Sequence, residues 1–364
     1  MSSKRTQRTT VDQLVAAKRA KNAAELPPSD RERHLRKANS DLALENKNLR
    51  EKLGEQQEFY DQVTAAVAQL DPYPAFRYTA AQKRHTPIVP VIDFSDWHIG
   101  EVVRSDEVEG FNAFNWEIAQ AGLFGIVQEF LQWVQIQRQF YRIEACAVIG
   151  KGDYVSGDIH DELKATNEFP LPVQVARAGT LLGEVMRILA GHFKAVHVFE
   201  CGADNHGRLQ RKPQAKQKSS NNMSFLVHYI ANAHAERCHN LRIETAQGIK
   251  LLADINGKKF LIEHGDTLKG WAGLPFYAFA REIGKEAARR MNSDRGFDFL
   301  SIAHFHTPCL IENRTILNGS LSGTSEFDHA CGRHSLPCQV AYLVHPRHGV
   351  FNFTPFVRRD AVAR

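Results

Sequence analysis

The sequence predicts an α/β sandwich with mixed sheets, preceded by an N-terminal α-helical coiled coil. From residue 88 onward, apolar runs of strand length alternate with amphipathic stretches, and the tail is richer in predicted strands. A heptad repeat of leucines precedes this region. The 364 residues suffice for one large domain with an appendage. We expect a basic arm at 1–28, a coiled-coil helix at 29–70, a linker at 71–87 and a globular domain at 88–364.

The N-terminal segment and the composition predict a cytoplasmic protein. Residues 1–28 are basic, end in ELPPSD and lack the continuous apolar stretch of a secretory signal. The sequence has no apolar run near the roughly 20 residues of a membrane span, so no membrane partner is expected. The net charge of +5 permits an anionic partner without requiring one. The six cysteines form no CxxC pair, which predicts reduced thiols rather than a disulfide framework.

Residues 29–70 carry a heptad pattern. Leu35, Leu42 and Leu49 are seven residues apart, and placing them at position d puts Asn39 and Asn46 at position a. Leucine at d with asparagine at a is typical of a parallel two-stranded coiled coil, in which the buried amide fixes register and strand number. The pattern therefore predicts self-association into a homodimer or a higher oligomer. The alternative is an amphipathic helix that packs on the chain's own globular domain.

The proline-rich segment 71–87 separates the heptad region from ten predicted strands and four predicted helices. The strands are expected at 88–95, 143–149, 194–200, 241–246, 250–254, 258–263, 298–303, 314–318, 339–344 and 350–355. The helices are expected at 115–140, 171–191, 221–238 and 272–292. Early alternation of strand and helix, followed by strands, favours mixed sheets covered by helices.

Five of these strands end in oxygen or imidazole donors. A lone histidine is more often a core or surface residue than a ligand, but five successive strand ends of this kind are hard to explain by accident. In open α/β sheets, functional groups collect outside the carboxyl ends of strands. The donors are Asp96 and His98 in SDWHIG, Asp153 in GKGD, Asn205 and His206 in CGADNHGR, His264 in HGD, and His304 and His306 in HFH.

Two aspartates, one asparagine and four histidines are a suitable donor set for two divalent cations. Carboxylate and amide oxygens combined with imidazoles favour manganese, the first expectation, or iron or zinc, over calcium. One carboxylate can bridge two such ions about 3.5–4 Å apart, and the pair then stabilises both the attacking and the leaving oxygen of a phosphoryl displacement. The donor set therefore predicts hydrolysis of a phosphate ester.

The motif order D-x-H, G-D, N-H, H-G and H-x-H resembles the calcineurin-like metallophosphoesterase superfamily over about 88–308. The resemblance implies a four-layer α/β/β/α sandwich, and a hydrolase in which a hydroxide held between two metals attacks phosphorus. It makes His206 the residue that contacts the phosphate and protonates the leaving oxygen. It also implies that Asp96, His98 and His306 bind the first metal, that Asp153 bridges, and that Asn205, His264 and His304 bind the second.

Three motifs depart from the family pattern. The third reads ADNHG, where the family usually has Gly-Asn-His followed by an acidic residue. Asp204 is therefore a candidate to orient His206 from the other side, or else to cap a turn. The second, GDYVSGDIH, lacks the arginine typical of Ser/Thr protein phosphatases, and the last, AHFH, has alanine in place of glycine but keeps both imidazoles.

The segment 207–222, called the basic loop below, predicts a polyanionic substrate. It contains five basic residues and no acidic one, among them Arg208, Arg211 and Lys212. A basic loop beside a phosphoesterase site can neutralise several phosphates of a nucleic acid, which a mononucleotide does not require. The alternative is a solvated loop without a partner.

Three further residues are candidates for substrate contact. Tyr154 and Phe305 flank the motifs and can stack on an unpaired base, although aromatic residues at such positions often pack beneath a site. His160 can contact substrate, support a ligand from behind, or lie on the surface.

The function that follows is a DNA-directed nuclease or exonuclease, resembling the DNA-repair exonuclease branch of the superfamily. One alternative is a phosphatase or cyclic-nucleotide phosphodiesterase that acts on a small molecule or a phosphoprotein. Another is a non-catalytic, nucleic-acid-binding accessory subunit with a degenerate phosphoesterase fold. Degenerate members lose ligands, whereas all seven expected ligands are present in this sequence.

Overall fold

The computed structural model describes residues 16–20, 28–69, 86–269 and 275–359. The chain divides into two compact units, Met1–Thr79 and Ala80–Arg364. Most of the predicted arm and linker therefore lies outside the described residues, and the domain boundaries stay predictions. The described part of the arm, residues 16–20, is helical and exposed.

The first unit contains the helix α1, Pro28–Ala68. Leucine, glutamate, lysine and alanine, which lose little side-chain freedom in a helix, recur along it. The predicted helix is thus confirmed up to residue 68. The heptad leucines Leu35, Leu42 and Leu49 are 48%, 46% and 58% exposed. The coiled coil itself stays a prediction.

The second unit contains two mixed sheets, as predicted. The first has six strands in the order β11-β10-β1-β2-β3-β4. Strands β1 to β4 are parallel, whereas β10 runs antiparallel to β1 and β11 antiparallel to β10. The strands are β1 (Val89–Phe94), β2 (Ala145–Gly150), β3 (Ala195–Glu200), β4 (Leu241–Thr245), β10 (Cys338–His345) and β11 (Gly349–Val357).

The second sheet has five strands in the order β5-β6-β7-β9-β8. Its central strands β6, β7 and β9 are parallel, and the two edge strands are antiparallel to their neighbours. The strands are β5 (Leu251–Ile255), β6 (Lys258–Ile262), β7 (Phe299–Ile302), β8 (Cys309–Ile311) and β9 (Thr315–Leu317).

Six helices belong to the second unit's described residues. Asn115 and Asn222 cap two of them by accepting backbone N–H bonds in the first turn. The start of the fourth predicted helix falls on residues outside the described ranges. The helices are α2 (Trp116–Gln137), α3 (Asp161–Thr166), α4 (Leu171–His192), α5 (Met223–Ala235), α6 (Phe276–Arg290) and α7 (Glu326–Ala330).

Alternate residues of the strands enter different apolar clusters. Val91 packs in a cluster shared by the two sheets, whereas the next residue, Ile92, packs with α2 and α4 on the other face. A third cluster joins Leu261 and Leu300 of the five-stranded sheet to Phe279 of α6. Because both faces of β1 are buried, its sequence VPVIDF is nearly continuously apolar. The mixed α/β class is confirmed; the four-layer order stays a prediction.

Two compositional predictions also have structural outcomes. All six cysteines are free thiols, as expected from their spacing. Among the described residues, none of the helices combines the length and the hydrophobicity of a membrane span.

Candidate metal centre

The predicted ligands leave their strands in an unusual backbone conformation. Asp96, His98, Asp153, His304 and His306 all have positive φ, between 49° and 70°. Few non-glycine residues adopt this left-handed region, where aspartate and histidine are tolerated better than branched residues. Such strain concentrates at functional sites. All five residues lie within four residues of the carboxyl end of a strand.

Asp96, His98 and His306 form the first metal group. The Nε2 atoms of His98 and His306 lie 3.2 Å apart, and His306 Nε2 lies 3.5 Å from Asp96 Oδ1. Asp96 and His98 are buried. The other ring nitrogen of His98, Nδ1, is buried without a hydrogen-bond partner. Two imidazole nitrogens and a carboxylate oxygen thus point to one small volume.

Asp153, His264 and His304 form the second metal group. His264 Nε2 lies 2.9 Å from Asp153 Oδ2 and 3.0 Å from Asn205 Oδ1. The Nδ1 atom of His264 lies 2.8 Å from the carbonyl oxygen of Lys151, which fixes the ring and leaves Nε2 directed at the carboxylate. The structure therefore brings the predicted second-metal residues together with the proposed bridging aspartate.

The donor chemistry of both groups fits divalent cations. Within each group the ligand atoms lie within 4.8 Å of one another. Burial, and then the charge of neighbouring histidines, holds the pKa of His98 well below its usual value and lowers the pKa of His304 to about 4. Both rings are therefore neutral near pH 7, the form that binds a metal. Burial opposes charge on His264, but Asp153 outweighs it and raises the pKa of His264 to about 10 in the metal-free protein. A cation in the second group therefore has to displace the proton on His264 Nε2.

His206 lies beside the two groups. Its backbone N–H donates to Asp153 Oδ1 (2.9 Å), and its ring centroid lies 4.6 Å from that of His98. Its Nδ1 lies 2.8 Å from the carbonyl oxygen of Ser156. A carbonyl can only accept, so Nδ1 carries the hydrogen and Nε2 is the atom available to a substrate.

Asp204 caps a turn rather than orienting His206. It is fully buried, and its oxygens accept from the N–H groups of Asp153 and Gly207 (both 2.8 Å). It also accepts from Asn222 Nδ2 (3.0 Å) and from the hydroxyl of Ser224. Of the two roles expected for Asp204, these contacts show the turn cap, and they join the ends of the second and third motifs.

A buried ion pair beneath the centre was not predicted. Lys151 Nζ donates to Asp93 Oδ2 (2.6 Å), to Ser301 Oγ (3.1 Å) and to the Ile302 carbonyl (3.0 Å). Lys151 and Asp93 are completely buried, and burial raises the pKa of Asp93 although Lys151 opposes the shift. The lysine thus ties β1 and β2 of one sheet to β7 of the other. A lysine in GKGD looks like a loop residue, so local sequence carried no signal of this role.

The two predicted aromatic contacts, Tyr154 and Phe305, differ in burial. Tyr154 is fully buried, with its ring 5.0 Å from Trp97 and its hydroxyl 3.3 Å from His228 Nε2. Its prediction as a substrate contact is wrong, because the chain turns inward after Asp153. Phe305 is half-buried and packs edge-on against Phe279 at 5.1 Å.

His160 fits a substrate-facing position. It is exposed, and its ring centroid lies 5.9 Å from that of His206.

The three basic residues that were predicted to contact substrate differ in their surroundings. Arg208 donates to the carbonyls of Gln210, Asn205 and Arg211, so its guanidinium holds the basic loop together. Arg211 is exposed and pairs with Asp161. Lys212 is exposed. Arg208 therefore stabilises the loop in this conformation, while the other two lie on its surface.

Comparisons with known proteins add little to this geometry. No protein-family model and no curated protein matches the sequence. Distant structural matches include Vps29 from Entamoeba histolytica (12% identity, TM-score 0.27, covering 74% of this chain and 99% of that one). Others are vacuolar protein sorting 29 from Cryptosporidium parvum (13%, 0.28, 74% and 98%) and the yellow lupin purple acid phosphatase PPD1 (12%, 0.27, 78% and 56%). These scores are too low to support an inference about this chain.

Proposed function

We propose that the protein is a phosphoesterase with two divalent cations, that it hydrolyses phosphodiester bonds, and that its substrate is DNA. The observation that carries the proposal is the convergence of two three-residue donor groups beside His206. Manganese is the first candidate metal, with iron and zinc as alternatives, because both groups mix carboxylate and imidazole donors.

The two metal groups and Asn205 would hold the cations. When bound, such a pair lowers the pKa of a water molecule toward neutrality and offsets charge on the phosphoryl oxygens. Contacts such as those of His264 with the Lys151 carbonyl and with Asp153 keep these side chains in place before substrate arrives, which reduces reorganisation during the reaction.

His206 supports the proposal as a proton donor. Its Nδ1–H donates to the Ser156 carbonyl, which orients the ring and leaves Nε2 as the second ring nitrogen. In the imidazolium form, Nε2–H donates its proton to the departing alkoxide oxygen. The neutral ring that remains keeps its hydrogen bond to Ser156.

DNA as substrate is supported by the basic loop, which begins one residue after His206. Arg211, Lys212 and Lys216 are exposed on it. Exposed cations near the site favour a substrate with several phosphates over one with a single phosphate. The predicted cytoplasmic location and the self-association through α1 belong to the same proposal.

The test offers purified full-length protein with Mn²⁺ three substrates: single-stranded DNA, duplex DNA and bis(p-nitrophenyl) phosphate. We expect hydrolysis of DNA and of the aryl diester, and loss of both in Asp153→Asn, because Asp153 belongs to the second metal group and also accepts the His206 N–H.

Each outcome decides one part of the proposal. Cleavage of the aryl diester alone contradicts the nuclease and favours a small-molecule phosphodiesterase. Unchanged activity in Asp153→Asn contradicts the metal centre. Absence of hydrolysis with all three substrates contradicts the enzyme and favours a binding subunit.

A further inference from the structure

A row of exposed apolar side chains begins directly after the basic loop. Phe225, Leu226 and Tyr229 of α5 are 39%, 43% and 67% exposed. Phe225 and Tyr229 are four residues apart, so they lie on one face of the helix, one turn from each other. We call these three residues, two of which are aromatic and one aliphatic, the aromatic strip. None of the roles assigned above uses them.

The start of α5 is anchored at the metal centre. Asn222, its N-cap, donates to the side chain (3.0 Å) and the carbonyl (3.1 Å) of Asp204. A Cβ placed on Gly202 of the third motif would lie 3.3 Å from the backbone nitrogen of Phe225. The aromatic strip therefore begins where the chain leaves the third strand-end motif.

The basic loop is held beside the centre at both of its ends. The backbones of Arg208 and Asn222 form an isolated antiparallel β-bridge, which joins the two ends of the loop. Lys218 Nζ binds both carboxylate oxygens of Asp266 at 2.7 Å, and these two side chains are only 9% and 15% exposed. Asp266 follows the second-group ligand His264 by two residues. The loop thus has a fixed course along the site.

The exposed cations and the aromatic strip can bind different parts of one ligand: cations bind phosphates, and aromatic rings stack on bases. Lys212 and Lys216 are exposed along the loop, and the strip follows it in the chain. Cations that contact the backbone, combined with aromatic side chains on which bases stack, are the arrangement that proteins use for unpaired nucleic acid strands. In a duplex the bases stack on each other, so their faces are not available to such a strip.

We propose that the basic loop and the aromatic strip bind an unpaired nucleic acid strand and lead it to the metal centre. Lys212 and Lys216 contact phosphates, while Phe225 and Tyr229 stack on bases. The inference rests on the proposed function, and it narrows the substrate class to single strands.

The experiment measures equilibrium binding of fluorescein-labelled oligodeoxythymidylate, and of a duplex of the same length, to the full-length protein in EDTA. Phe225→Ala with Tyr229→Ala is expected to weaken single-strand binding by roughly tenfold or more, and duplex binding by less than about twofold. Lys212→Ser with Lys216→Ser is expected to weaken both, and to reduce the slope of log affinity against log salt by about 1.4 for the single strand.

Matched controls lie at the opposite end of the six-stranded sheet, where the parallel strands begin. Phe140 is 50% exposed and lies near Arg142, which bridges Pro87 at the amino end of β1. Phe140→Ala is expected to leave binding unchanged. Lys194→Ser with Arg347→Ser removes the same charge as the loop variant. Lys194 immediately precedes β3, and Arg347 lies in the β10–β11 turn, so this pair is expected to have little effect.

Two results would overturn the inference. One is single-strand binding that is unchanged in the aromatic variant or equally weakened in its Phe140 control. The other concerns the Phe225→Ala, Tyr229→Ala variant. If it binds oligonucleotide like the wild type but sediments differently from it, the strip serves protein association.

Hydrolysis of bis(p-nitrophenyl) phosphate with Mn²⁺ separates this inference from the proposed function. Aryl diester hydrolysis with duplex binding but without single-strand binding contradicts the inference alone. Oligonucleotide binding without any hydrolysis contradicts the proposed function alone.

Discussion

Lys151 shows how one buried residue can govern a site that it does not enter. Its carbonyl fixes the His264 ring, and its ammonium joins Asp93 to β7 of the other sheet. Removing one partner of a buried ion pair leaves an uncompensated charge, whereas removing both can be nearly neutral. A side-chain substitution keeps the Lys151 carbonyl, so mutation tests whether the ammonium contacts are what hold that carbonyl in position against His264.

Lys151→Met is expected to lower the free energy of unfolding by about 3–5 kcal/mol, because Asp93 would remain buried without its partner. Lys151→Met with Asp93→Asn is expected to recover most of that loss. If the lysine also positions the ligands, Mn²⁺ affinity stays about 10–100-fold weaker in the double variant. Urea titration and isothermal calorimetry measure the two quantities. Restored metal affinity in the double variant would limit Lys151 to a structural role.

His206→Ala is expected to lower kcat on a DNA oligonucleotide by about 10²–10⁴, because a deoxyribose alkoxide needs a proton to leave. The loss should be smaller on bis(p-nitrophenyl) phosphate, whose leaving group is stable as an anion. His348→Ala, which removes an exposed ring in the β10–β11 turn, serves as the control and is expected to leave kcat unchanged. Equal losses on both substrates would contradict the role of His206 as proton donor.

The sequence predicted which polar side chains come together better than it predicted their surroundings. Asp96, Asp153 and His264 were found because buried apolar strands end at them, and a strand end fixes where a side chain lies. The roles of Tyr154 and Lys151 depend on contacts with residues distant in sequence, such as Trp97 and Ser301. From sequence alone, Lys151 and Tyr154 in the glycine-containing turn GKGDY are expected to be exposed, because these contacts cannot be seen there.

At the scale of elements, all ten predicted strands occur, with ends that differ by at most two residues. Buried runs such as VPVIDF and ACAVIG have a clear apolar signal. The strand β8 and the short helices α3 and α7 were not predicted. They contain three, six and five residues, too few for a periodic pattern to emerge.

The helix α1 carries an exposed heptad row, and we expect it to pair with a second copy. Leu42→Glu with Leu49→Glu is expected to dissociate the oligomer, since it puts four carboxylates into one two-stranded interface. Leu44→Glu is the matched control, because Leu44 is 61% exposed but lies outside the a and d positions. Sedimentation velocity measures the result. A wild-type monomer, or a dimer that survives the double substitution, would contradict the coiled coil.

For the whole of the second unit, the candidate ligands come from both sheets. Strands β1, β2 and β3 of the six-stranded sheet lead to Asp96, Asp153 and Asn205. Strands β6 and β7 of the other sheet lead to His264 and His304. The packing of the two sheets, and the Lys151 contacts between them, therefore assemble the centre from residues more than 200 positions apart.

The central claim is that these residues bind two cations. The most direct test is the number of Mn²⁺ ions bound per chain, measured by metal analysis after equilibrium dialysis, for the wild type and for His98→Ala. We predict two ions in the wild type and about one in the variant, because His98 belongs only to the first metal group. Fewer than two ions in the wild type, or the same number in both proteins, would contradict the claim.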